Sequence, residues 1–333
     1  MKQEKIVIWE KEEYRNSYAY DFLPFLMSYL HEDQEIRPCM LVVPGGGYGG
    51  VSPTEGEIVA KSFYENGYDV FVLTYTTNIL RKEPLKLQPL KDISRAVRMI
   101  RKHADRYGTC PSQLAVCGFS AGGHLCASLC VHYKDIQDVN VEYDGISNRP
   151  DAAILSYPVI TSGKYAHRGS FEELLGKDAE EKELEYMSLE KHVTKDTPPC
   201  FLWQTATDEL VPVENSYLFA WACKDAGVPY AHHVFSDGIH GLSLADQDWL
   251  EENYGEPYTL DQVAQIVKAI REGKTEMPLE MADHLEKDYR LTKTEESPWT
   301  PEVKEQLQEV IKEVGIWPVL ARQWLRKIWK NNL

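Results

Sequence analysis

The chain reads as an α/β protein: a mostly parallel sheet with helices on both faces, followed by a helical C-terminal extension. Three observations predict it. Short apolar runs at 40–43, 68–75, 113–117, 152–157, 201–205 and 230–235 alternate with longer segments of helical periodicity. Several of those runs are apolar throughout rather than at every second residue, the pattern of strands buried on both faces. Glycine punctuates the junctions, as Gly45-Gly46-Gly47, Gly67 and Gly227 do. At 333 residues the chain is long for one domain, yet within the range of single α/β domains, and it buries a large core.

Residues 5–9 read as a first strand, and the aromatic-rich stretch 14–31 as a strand and a loop. Met40-Leu41-Val42-Val43 is a buried strand ending at Pro44 and a glycine run. Ser52-Pro53-Thr54-Glu55 opens a helix, with Ser52 as N-cap, Pro53 at the first helical position and Glu55 closing a capping box. Ile58, Val59, Phe63 and Tyr64 give that helix its apolar face. After the strand at 68–75, Ile93, Val97, Ile100 and Ala104 mark a helix over 90–106. The strand 113–117 runs into a helix to His132, and a further strand lies at 152–157. Residues 161–197, charged and irregular, read as an inserted cap. The strand 201–205, a helix over 213–226, a last strand at 230–235 and a helix over 259–272 complete a domain spanning 1–273.

The charged stretch 274–298 reads as a linker, and 299–333 as an extension with two helices. Leu320, Trp324 and Ile328 share one stripe of the last helix, while Arg322, Arg326, Lys327 and Lys330 make it basic. Docking on the acidic body, or on a second copy as a homo-oligomer contact, is preferred here to a membrane-surface helix.

A net charge of −16 counts against nucleic acid and anionic membranes as partners. Six of the seven cysteines sit in apolar runs and no Cys/His cluster has zinc spacing, so no metal is expected. No stretch has the length of a signal peptide's apolar region or of a membrane span, and a reducing cytoplasm is the expected compartment.

Gly118-Phe119-Ser120-Ala121-Gly122 fits the G-x-S-x-G nucleophile elbow in its required setting of strand, sharp turn and helix. A serine hydroxyl is a weak nucleophile at neutral pH and needs a base that is itself oriented by a carboxylate. Asp208 and His240 each follow the C-terminal end of a strand, the edge where such sheets bind ligands. Their rivals are Glu209 and Asp237 for the carboxylate, and His124, His232 and His233 for the base. His124, one turn past Ser120, reads as a residue that packs or bonds behind the elbow. Backbone N–H groups of Ala121 and of Gly46 or Gly47 are the candidate oxyanion donors. Tyr48 and Tyr157 are candidate substrate-pocket residues.

The stretches Val43-Pro44-Gly45-Gly46-Gly47-Tyr48, Cys117 to His124, Ala206 to Pro212 and Gly238 to Ser243 resemble the α/β-hydrolase superfamily. Within it they resemble small carboxylesterases acting on acetyl-xylan or acetylated sugars. The resemblance spans roughly 38–273. It implies an eight-stranded sheet, a Ser120–His240–Asp208 triad and hydrolysis of short acyl esters of small molecules, with no cofactor. Pro44 precedes the glycine run as in the acetylesterase branch, where the lipase branch has histidine. Residues beyond 274 match nothing in that family. An amide hydrolase on the same fold, such as a small peptidase or arylformamidase, is the alternative enzyme. A non-catalytic binding module is the alternative of another class, although such modules usually lose a triad member and none is missing here.

Overall fold

The computed structural model describes residues 1–291 and 299–330. Eight strands, β1 (Lys5–Val7), β2 (Phe25–Tyr29), β3 (Arg37–Val43), β4 (Asp69–Thr74), β5 (Thr109–Phe119), β6 (Ala152–Ser156), β7 (Cys200–Thr205) and β8 (Tyr230–Phe235), form one sheet in the order β1-β2-β4-β3-β5-β6-β7-β8. β2 runs antiparallel to β1 and to β4, and every other neighbouring pair is parallel. The helices among the described residues are α1 (Glu57–Glu65), α2 (Gln88–Lys102), α3 (Ala104–Tyr107), α4 (Ala121–His132), α5 (Arg168–Leu175), α6 (Glu181–Tyr186), α7 (Glu214–Asp225), α8 (Gln247–Leu250), α9 (Asp261–Arg271), α10 (Leu279–Asp288), α11 (Pro301–Val314) and α12 (Trp317–Lys330).

Side chains along a strand alternate between faces. On β3, Cys39, Leu41 and Val43 enter one apolar cluster and Met40 and Val42 the other, so a run that is apolar throughout is what a sheet covered twice requires. Ile93 and Val97 of α2, Leu125 and Leu129 of α4 and Phe219 of α7 cover the first face. Ile58 and Phe63 of α1, Leu307 and Ile311 of α11, and Trp317, Leu325 and Ile328 of α12 cover the second.

Four local expectations change. The helix expected over 90–106 is broken at His103 (φ −107°, ψ 22°) into α2 and α3. The capping box at Ser52 does not form. Residues Pro53–Glu55 make a 3₁₀ turn without a side-chain cap, because the Glu55 carboxylate is spent deeper in the molecule. The segment read as a linker holds α10, which packs on α9 through Ala282 and Leu285 while Arg271 bridges Asp283 and Glu286. Residues 292–298 of that segment, and 331–333 of the extension, lie outside the described residues. Finally, the side of α12 that is fully buried carries Trp317, Ala321, Leu325 and Ile328, with Leu320 and Trp324 on its margin. The extension therefore docks on the body of the chain.

Residues 161–197 contribute α5 and α6, between β6 and β7. All seven cysteines are free thiols. Among the described residues no helix is long and apolar enough to cross a membrane, and no group of three His, Cys, Asp or Glu side chains could hold a metal ion.

Candidate active site

Ser120 sits between β5 and α4 at φ 52°, ψ −118°, a region that side-chain-bearing residues rarely occupy. The surrounding glycines make the turn possible. A Cβ on Gly122 would run into the carbonyl oxygens of Val43 and Pro44, and one on Gly118 into the Gly122 carbonyl. Strand, turn and helix thus approach more closely than any larger residue permits. The Ser120 N–H donates to the Ser156 carbonyl (3.0 Å) and its carbonyl accepts from the Val159 N–H (3.1 Å), so the strained residue is held by the end of β6 and by the loop that follows it.

Asp208 and His240 arrive from the loops after β7 and β8. Asp208 Oδ1 accepts the N–H groups of Leu210 (3.0 Å) and Val211 (2.9 Å), and Oδ2 accepts from His240 Nδ1 at 2.7 Å. A carboxylate can only accept, so Nδ1 carries the hydrogen. Nε2 is then the ring's acceptor, and it lies 2.8 Å from Ser120 Oγ. The Asp208 side chain is shut off from solvent, while that of His240 retains 13% of its exposure. The rivals stand elsewhere. Glu209 is exposed, and Asp237 accepts from Thr207 Oγ1. His232 contacts Ser216 on one face of the sheet and His233 lies against Phe201 on the other.

The loop after β3 turns through three successive positive φ values, at Gly46 (119°), Gly47 (63°) and Tyr48 (63°). The Gly46 carbonyl accepts from Gly49 and Gly50, and the Gly45 N–H donates to Glu55 Oε2 at 2.6 Å. That leaves the N–H groups of Gly46 and Gly47 without an acceptor among the described residues. Ala121 is the first residue of α4, where an N–H has no partner within the helix. Unused donors beside a serine are what a developing oxyanion needs. The insertion between β6 and β7 borders the same loop. Ser170 Oγ lies 3.9 Å from where a Gly47 Cβ would stand, and it bonds His167 Nδ1 at 2.8 Å.

Tyr48 and Tyr157, expected to line a substrate pocket, lie behind the site instead, 1% and 2% exposed. Their hydroxyls are already spent. Tyr48 donates to His124 Nδ1 (2.8 Å), since His124 Nε2 donates to the Met187 carbonyl (3.0 Å). Burial pushes the His124 pKa down to about 4, so the ring is neutral near pH 7. Tyr157 donates to Glu55 Oε1 (2.7 Å), accepts from the Ser243 N–H (3.0 Å) and presents its ring edge-on to His240 at 4.9 Å. Glu55, which the sequence places at a helix cap, therefore links the glycine loop to the tyrosine that backs the histidine. Burial raises its pKa, and the bonds from Tyr157 and Gly45 act against that rise.

The histidine loop is tied from the C-terminal extension. Glu313 accepts from the Ser236 N–H (3.0 Å) and hydroxyl (2.7 Å), and Trp317 Nε1 donates to the Ser243 carbonyl at 2.9 Å. Trp317 also stacks on Trp203 of β7, ring centroids 5.1 Å apart. Neither residue carries a local signal for this role, because each lies more than seventy positions from its partner in the loop.

This sheet order, elbow and loop arrangement have counterparts among known proteins. Residues 27–222 match the BD-FAE family. The chain belongs to that family. It is an α/β hydrolase of an esterase-like branch. This BD-FAE chain is 51% identical over 255 residues to the endo-1,4-beta-xylanase B of Butyrivibrio fibrisolvens, a match covering 77% of the chain and 40% of that protein. It is 29% identical over 208 residues to the acetylxylan esterase of Xylanibacter ruminicola, covering 61% of the chain and 40% of the relative. The chain thus spans well under half the length of both curated relatives. An acetyl ester-xyloside bifunctional hydrolase from Caldicellulosiruptor lactoaceticus superposes with a TM-score of 0.69 at 34% identity, covering 79% of this chain and 97% of that one. The BD-FAE match contains Ser120 and Asp208 but stops before His240.

Proposed function

We propose that this protein is a serine carboxylesterase that removes short acyl groups, acetyl foremost, from sugars or xylo-oligosaccharides through an acyl-enzyme. The observation that carries the reading is the hydrogen-bonded chain Asp208–His240–Ser120, ending at a serine in an elbow and flanked by unused N–H donors. Ser120 Oγ attacks the acyl carbonyl carbon as His240 Nε2 takes the hydroxyl proton. The N–H groups of Ala121 and of Gly46 or Gly47 hold the resulting oxyanion, each donor contributing about 3–4 kcal/mol to the transition state. His240 passes its proton to the departing alcohol oxygen, and the ester C–O bond breaks. Water, deprotonated by the same nitrogen, then attacks the acyl carbon, the bond from that carbon to Oγ breaks as His240 returns the proton to Oγ, and the acid and Ser120 are released. Asp208 keeps the ring in the tautomer that both steps need and stabilises its charged form.

The acyl group and the alcohol rest on the relatives: one is named for acetylxylan, another for acetyl esters and xylosides. Free, mostly buried cysteines favour a reducing compartment such as the cytoplasm. The test is labelling with a fluorophosphonate, together with acetate release from acetylated xylo-oligosaccharides and aryl acetates. Wild type is expected to label and turn over. Ser120→Ala is expected not to label and to lose about 10⁶ in kcat. A folded wild type that neither labels nor hydrolyses any ester overturns the reading. Matched aryl amides in the same assay separate the esterase from an amidase.

A further inference from the structure

The insertion between β6 and β7 brings a further histidine to the catalytic residues. α5 is anchored on the helix that follows Ser120: Phe171 packs edge-on against His124, ring centroids 5.4 Å apart, and Leu174 and Leu175 enter the same core. The loop before α5 is pinned through its carbonyls. Arg168 donates to those of Ser162 and Gly163 (both 3.2 Å), and Asn215 Nδ2 donates to that of Tyr165 (2.9 Å). His167, at the start of α5, is therefore held in place. On one side it bonds Ser170, whose Oγ lies 3.9 Å from where a Gly47 Cβ would stand. On the other, the charges of His240 and Asp208 both reach its ring. His167 thus stands between the glycine loop and the catalytic pair.

The hydrogen bonds settle which ring nitrogen carries the hydrogen. Ser170 is buried, and among the described residues the partner of its hydroxyl is His167 Nδ1 at 2.8 Å. A buried hydroxyl uses its one hydrogen, so Ser170 donates and Nδ1 accepts. Burial, and after it the charge on His240, lower the His167 pKa against the opposing pull of Asp208, so the ring is neutral near pH 7. The hydrogen of that neutral ring then sits on Nε2, which has no partner among the described residues. A nitrogen in this state donates and cannot accept. It therefore does not compete with a leaving alcohol for the proton on His240.

In the ester-hydrolase reading, the carbonyl oxygen of the substrate turns to the N–H groups of Ala121 and of Gly46 or Gly47, and the ester oxygen turns to His240 Nε2. A short acyl group brings no other oxygen. A donor left over beside these groups meets the alcohol. We propose that His167 is a specificity-determining residue, its Nε2–H donating to an oxygen on the alcohol carbon next to the esterified one, so that monoesters of 1,2-diols are favoured over esters of plain alcohols. Ser170 is a positioning residue that acts through His167 by fixing its tautomer. The proposal rests on the ester-hydrolase reading and adds the side chain that reads the alcohol.

2-Hydroxyethyl acetate and propyl acetate differ by a hydroxyl in place of a methyl group, and the ratio of their kcat/KM values is the readout. It is measured in wild type and variants of the full chain, with active sites counted by fluorophosphonate titration and an unfolding curve for each protein. His167→Phe keeps a planar ring and removes both nitrogens, and the ratio is expected to fall about tenfold. His167→Gln, which returns an N–H donor near the Nε2 position, is expected to recover most of that loss. Ser170→Ala frees the tautomer and is expected to lower the ratio roughly two- to fivefold. Should His167→Phe not fold, the ratio in Ser170→Ala decides. An unchanged ratio in the folded variants, or an equal fall on both esters, overturns the role of His167 and leaves the esterase standing. A wild type that hydrolyses neither ester overturns the ester-hydrolase reading and this one with it.

Discussion

Ser120 and the glycine loop stand on the C-terminal ends of β5 and β3, two central strands in register from Cys39 opposite Leu114 to Val43 opposite Gly118. His240 stands on the loop after β8, which has a strand partner on one side only. The first half is set by backbone: ladder bonds, positive φ angles and glycines with no room for a Cβ. The second is set by side chains that arrive from a distance, Glu313 on Ser236 and Trp317 on Ser243. The strained serine is thus fixed by the central ladder, whereas the histidine loop at the edge of the sheet depends on side chains from the C-terminal helices.

That contrast is open to measurement. The largest effect is expected on the backbone side. Gly122→Ala places a methyl group against the Val43 and Pro44 carbonyls, and is expected to yield protein that does not fold or that loses fluorophosphonate labelling altogether. Well-folded, labelled Gly122→Ala protein would break the distinction. On the other side, Trp317→Ala empties a fully buried site against Trp203 and Phe119, and is expected to cost about 3–5 kcal/mol in urea unfolding. Because Ser120 is held independently, the folded fraction of this variant should still label with a reactive phosphonate, only more slowly.

Acid is expected to act on the backbone side through His124. Its pKa falls from 6.5 unfolded to about 4 folded, so its contribution is complete above pH 6.5 and is lost as pH falls through 4. The difference amounts to about 3 kcal/mol. Asp92, pushed by burial up to about 6, works in the opposite sense, its contribution being present at low pH and lost as pH rises through 6. The His124 share is therefore read as the difference between wild type and His124→Gln in unfolding experiments from pH 7 to pH 4. A difference that stays constant over that range would remove His124 from the account. The smallest effect belongs to Glu313→Ala, which cuts two exposed ties to Ser236 and is expected to slow kcat roughly two- to fivefold with KM for aryl acetate little changed.

What was legible in the sequence follows the same division. Ser120, Asp208 and His240 each lie a few residues past an apolar run, so strand ends place them without knowledge of the rest of the chain. Gly118, Gly122 and the run Gly45 to Gly47 announce close approach by composition. Tyr48 and Tyr157 were misplaced because both lie at strand-end loops that face the site, while their rings turn inward to partners 76 and 102 positions away. Glu55 satisfies the local rule for a helix cap, and only the folded chain offers its carboxylate the better partners Gly45 and Tyr157. α10 was hidden for a different reason. Its apolar contact is a single Ala282–Leu285 pair among charged neighbours, too short a stripe to stand out.

The bond pair at Glu55 has a consequence for descent as well as for chemistry. One carboxylate touches both the glycine loop and the tyrosine against the His240 ring, so neither neighbour is free to drift alone. Replacing Tyr157 by a residue without a hydroxyl strands a buried acid, and replacing the acid strands a buried phenol and a peptide N–H. Lineages that change one of these positions are expected to change the other in the same step or the next, and the pair should covary even where the C-terminal helices have been exchanged.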